Sequence, residues 1–174
     1  YDVLAEGVFA AHGTPQITGS PTDTATISPF MAAIEAPTGG FYVVSIDDDE
    51  SLTINLANAG LVKIFVQQRD WEVDNVSEDS EVVLGAVYGA APIPDGALQL
   101  FEATIVSQTS TSGLTFSPVF KWTGAASGVI RVPAEADLGD VAVLQTGIRA
   151  LALDVSGEWF WGADSAWHET TIAN

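Results

Sequence analysis

Leu61-Val62-Lys63-Ile64-Phe65-Val66-Gln67 is the stretch on which the fold of this chain turns. β-Branched and aromatic residues dominate it, and the polar Lys63 and Gln67 break the run, the pattern of a strand buried on at least one face. Working outward, strand-like runs also lie at Leu52–Leu56, Glu81–Tyr88 and Gly96–Ser107. An acidic, loop-like Gln68–Ser80 separates two of them, and a Pro- and Gly-marked turn precedes the last. Four such strands predict a meander, which needs a second layer to bury its face.

The flanking sequence offers further strands. Tyr1–Ala11 alternates as a strand, and Thr14–Asp23, rich in Thr, Pro, Gly and Ser, reads as a loop. Thr24–Ile34 alternates around Pro29, which marks an edge or a bulge. Pro37-Thr38-Gly39-Gly40 is a turn signal before a strand at Phe41–Ile46, and Asp47-Asp48-Asp49-Glu50 predicts an acidic hairpin tip between that strand and Leu52–Leu56. Thr109-Ser110-Thr111-Ser112-Gly113 has the composition of a linker, and Leu114–Trp122 reads as strand interrupted by Pro118. Beyond it come a short strand at Val129–Val132, a helical or tight turn after Pro133, and three short strands at Leu151–Val155, Glu158–Trp161 and Trp167–Thr171. The expected architecture is mostly β. An antiparallel β-sandwich or barrel-like domain occupies residues 1–108, a linker or exposed loop and strand 109–128, and a small Trp-rich β module 129–174.

The 174 residues include 23 acidic and 5 basic side chains, a formal charge of −18 that repels nucleic-acid phosphate. Such a balance fits a saline setting, where screening weakens repulsion between surface carboxylates. No apolar run is long enough to insert into a membrane. Zero cysteines remove disulfides, thiolate metal sites and cysteine nucleophiles together.

No catalytic set assembles from the sequence. His12 and His168 are the two histidines, there is no G-x-S-x-G elbow, and neither a P-loop nor a G-x-G-x-x-G turn is present. The acids between Asp70 and Glu81 fit a solvated loop better than a glycosidase carboxylate pair. The expectation is a non-enzyme without a cofactor, Ca²⁺ being the one ion to consider. Its candidate ligands are Asp47, Asp48, Asp49 and Glu50, because oxygen donors gathered in a loop suit a hard cation. Their spacing is not that of an EF-hand, and a solvated tip is the plainer reading. Trp71, Trp159, Trp161 and Trp167 are the candidate ligand-binding residues, as aromatic faces for sugar stacking or subunit contact. Trp159 and Trp161, two apart on one strand, share a face, and a compact core is the alternative for them.

Two segments carry a resemblance. Ala91-Pro92-Ile93-Pro94-Asp95-Gly96-Ala97-Leu98-Gln99-Leu100, following Leu61–Val66 and Val82-Val83-Leu84-Gly85, resembles a module of minor tail, baseplate and tail-fibre proteins of tailed bacteriophages. Gly147, Asp154, Gly157, Trp159, Phe160, Trp161, Gly162 and Trp167 are similar to a second element of such proteins. The resemblance implies a structural protein of the virion, in contact with other virion proteins and contributing to host attachment. It also implies a homo-oligomer, with a trimer as the expected form. The competing expectation is a carbohydrate-binding module that recognises a host surface glycan. With −18 on every subunit, self-assembly is expected to strengthen as salt rises.

Overall fold

The computed structural model describes residues 5–10, 13–69, 81–124, 129–141 and 148–170. Their strands are β1 (Gly7–Val8), β2 (Ile17–Gly19), β3 (Thr24–Ile27), β4 (Phe30–Glu35), β5 (Phe41–Ile46), β6 (Glu50–Thr53), β7 (Gly60–Arg69), β8 (Glu81–Tyr88), β9 (Ala97–Ile105), β10 (Ser117–Pro118), β11 (Ile130–Val132), β12 (Arg149–Ala152), β13 (Gly157–Trp161) and β14 (Trp167–Glu169). They form sheets in the orders β1-β4-β5, β2-β3-β6, β10-β9-β7-β8 and β11-β12-β13-β14. All pairings of these strands are antiparallel except β11 with β12. The result is the expected mostly β, sandwich-like protein, and among the described residues no sheet closes into a barrel.

The central sheet is not a meander. β7 lies between β8 and β9 and is antiparallel to both, so β8 and β9 run the same way on either side of it. The chain must therefore travel back along β7 to start β9. Residues 89–96 make that journey across the sheet face: Lys63 Nζ donates to the Ala91 carbonyl at 2.9 Å, and Gln67 Nε2 to the Asp95 carbonyl at 3.0 Å. Phe65, between those two anchors on the same face, is 6% exposed. What reads as a Pro- and Gly-marked turn is a strap. Its prolines lack the N–H that a ladder requires, so the segment lies over the sheet without joining it.

On the opposite face Val62, Ile64 and Val66 are fully buried. Their partners on β9 shift by one residue between Ile64 and Phe65, so that Ile64 faces Phe101 while Phe65 faces Gln99. That bulge turns both Leu100 and Phe101 inward, where strict alternation would bury one of them.

The Asp47–Glu50 stretch is not a hairpin tip. β5 pairs with β4 and β6 with β3, so residues 24–35 and 41–53 form one long ribbon whose tip is at Gly39 and Gly40. Both of those glycines have positive φ, at +91° and +83°, which their missing side chains permit. The ribbon breaks where Ser28 and Pro29 oppose Asp47, Asp48 and Asp49, two residues against three. Proline cannot donate to the ladder and the extra acid has no partner, so the ribbon passes from one sheet into the other at this point.

Two segments expected to be loops are built into the fold. Ile17–Gly19 is a strand, and a 3₁₀ turn at Thr111–Gly113 packs on it. Thr111 is fully buried: its hydroxyl accepts from the Ser20 N–H at 2.8 Å and donates to the Thr24 carbonyl. Thr111→Val, which keeps the shape and removes the hydroxyl, is expected to cost about 1–2 kcal/mol in chemical denaturation. An unchanged midpoint would show that this contact is dispensable. Farther on, Trp122 forms backbone bridges to both Val8 and Val141, and one hydrophobic cluster includes Val8, Ile64, Trp122, Ile130, Ala150 and Trp159. Residues after 128 thus share a core with those before 108.

Candidate functional site

A groove of about 590 Å³ lies where the 14–17 segment, β10 and the 3₁₀ helix Glu135–Asp140 meet. Its floor is aromatic. Phe101 and Phe120 pack edge to face with centroids 6.0 Å apart, and Phe120 and Trp122 do so at 5.1 Å. All three residues are buried, at 4%, 8% and 5% exposed. The polar rim holds Gln16, Lys121, Asp137 and Asp140. Both acids are engaged: Asp137 Oδ2 accepts from the Ala134 N–H at 3.0 Å, and Asp140 pairs with Lys121 Nζ at 2.6 Å. Among the described residues the lining contains no histidine. The groove thus joins an aromatic floor to a rim whose acids are already engaged.

Sequence reasoning missed this groove, because its lining comes from separate stretches between Thr14 and Asp140. The available signal was Phe116, Phe120 and Trp122, aromatics at even spacing in a segment that forms regular strand only at Ser117–Pro118.

The tryptophan candidates separate. Trp71 lies outside the described residues. Trp159 is 6% exposed within the core, which removes it as a platform for a ligand. Its inward position follows from β13 pairing with β12, where Trp159 sits opposite the fully buried Ala150. Trp161 and Trp167 are cross-strand partners on the hairpin, packed edge to face at 5.4 Å and half-buried. Trp167 Nε1 donates to the Leu138 carbonyl at 2.9 Å, fastening the hairpin to the 3₁₀ helix.

The aromatic that this hairpin turns outward is Phe160, 41% exposed and stacked on His168 at 5.3 Å. His168 Nε2 lies 2.8 Å and 3.0 Å from the two Asp164 oxygens. That hydrogen bond holds the Asp164 carboxyl below the usual carboxylate range. The pair is exposed, so it fixes the local turn more than it stabilises the whole fold.

Asp47, Asp48, Asp49 and Glu50 are all exposed, and Ser45 Oγ donates to Asp47 Oδ1. Among the described residues no three carboxylate or histidine side chains gather as metal ligands. No protein-family model, curated protein or solved structure matches the chain.

Proposed function

We propose that this chain is a non-enzymatic structural component of a tailed virus particle, acting in the tail tip, baseplate, fibre or an external decoration and contributing to host attachment. The observation that carries this reading is strand β8. Among the described residues it ends the central sheet, and it runs for eight residues and is apolar on both faces from Val82 to Tyr88. Proteins that act alone blunt such an edge, whereas components of assemblies use it for pairing. The segments that carry the bacteriophage resemblance are architectural here: Ala91–Gly96 straps the sheet, and Gly157–Trp167 forms a hairpin seated on the core. Peptide mass fingerprinting of purified particles is expected to find the chain among the virion proteins. Its absence from the particle would overturn the proposal.

A second reading, a carbohydrate-binding module for a host surface glycan, draws on the aromatic-floored groove and on exposed Phe160. Glycan-array binding that disappears in Phe116→Ala or Phe160→Ala, with an unchanged circular dichroism spectrum, would favour it. An array without binding would remove it.

A further inference from the structure

We propose that two copies of this chain pair antiparallel along the outer edge of β8, with Gly85 of each copy on the two-fold axis. The inference gives a surface and a register to the assembly reading above. Among the described residues the one strand that β8 pairs with is β7, and that ladder runs from Val62–Tyr88 to Arg69–Glu81 without a bulge; at its end the Tyr88 carbonyl also accepts from the Ala91 N–H at 3.3 Å. The other end of the same sheet is protected, since β10 is two residues long and includes Pro118. Among the described residues one edge of the central sheet is thus closed to another chain and the other is open.

Charge selects the occupant. In a chain of −18, Val82–Tyr88 is an uncharged stripe of seven residues, and Glu81 at its start is paired with Arg69 at 3.4 Å. A second copy offers the same neutral strand of the same length. The antiparallel sense sets the Glu81 end of one strand beside the neutral Tyr88 end of the other and keeps the two acids apart. A parallel arrangement would stack them.

The faces select the register. Val82, Leu84, Ala86 and Tyr88 pack toward the core, and Val83, Gly85 and Val87 face the other way. The sheet continues with its core side intact only if core-facing residues meet core-facing residues. That condition, centred on the strand, places Leu84 opposite Ala86, Val82 opposite Tyr88, Val83 opposite Val87 and Gly85 opposite its own copy. A two-fold edge closes with two copies, so this pairing specifies a dimer where the resemblance implies a trimer.

The absence of cysteine from the chain makes the register directly testable. In the double variant Val83→Cys/Val87→Cys each introduced thiol faces its partner across the axis, at a separation that directly opposed antiparallel residues share with disulfides. Mild oxidation is expected to give a covalent dimer from the double variant and none from either single variant. Light scattering on the unmodified chain is expected to show a dimer that strengthens with sodium chloride. Val83→Lys is expected to weaken it by about tenfold or more, with an unchanged circular dichroism spectrum. Ser45→Lys, on the edge strand β5, is expected to leave it unchanged. A monomer at every salt level overturns the proposal, as does a dimer that survives Val83→Lys or fails to cross-link in the double variant. Absence of the chain from virions would overturn the functional reading and leave the dimer standing.

Discussion

Trp159→Ala is expected to lower the free energy of unfolding by about 3–5 kcal/mol, the range for truncating a large buried aromatic. The ring is 6% exposed and lies across Gly157 so closely that a Cβ there would come within 2.3 Å of it. Neighbours that fit a ring so tightly relax only in part once it is gone, and the remaining void adds to the lost burial. Urea denaturation followed by far-ultraviolet circular dichroism measures the change. A midpoint unchanged within error would mean that β13 presents its other face to the core. Glycan binding lost in this variant would report unfolding, which is why Phe160 and Phe116 are the positions that test carbohydrate recognition.

Ile64→Ala should cost about 2–5 kcal/mol by the same mechanism in the middle of the central sheet. Ile64 is fully buried, with Ala86 beside it on β8 and Phe101 on β9. Because β7 is paired on both edges, the surrounding backbone has little freedom to close around the cavity. Denaturant titration of this variant, compared with Leu98→Ala at a position that is 6% exposed, tests the assigned face of each strand. A small effect at both positions would place the core on the other side of the sheet.

Strands were legible where β-branched and aromatic residues are dense. Phe41–Ile46 and Glu81–Tyr88 begin and end where the sequence places them, and β7 extends the Leu61–Gln67 stretch by one residue to Gly60 at its start and by two to Arg69 at its end. Partnership was less legible, since it depends on contacts far apart in the chain. Proline and glycine between Ala91 and Gly96 signal a turn and an extended crossing equally well, and the direction of β9 distinguishes them. The acids at Asp47–Glu50 are as solvated at a ribbon break as at a tip, and the tip itself was announced by Gly39 and Gly40. Ile17-Thr18-Gly19 is too short and too mixed to stand out from its loop-like surroundings. On the hairpin, alternation puts Trp159 and Trp161 on one face, as the structure does, but period two alone does not say which face meets the core.

The strap over β7 also bears on how this protein can be engineered. Pro92-Ile93-Pro94-Asp95-Gly96 has the composition of a loop into which a foreign peptide is customarily spliced. Here a graft between Pro94 and Asp95 would lift the covering from Phe65 and break the Gln67 bond to Asp95, exposing the outer face of the central sheet. The ribbon tip is the better place, because Gly39 and Gly40 are exposed and open space surrounds the position of a Cβ on either. An epitope or affinity handle displayed there interrupts neither the Lys63 nor the Gln67 bond to the strap.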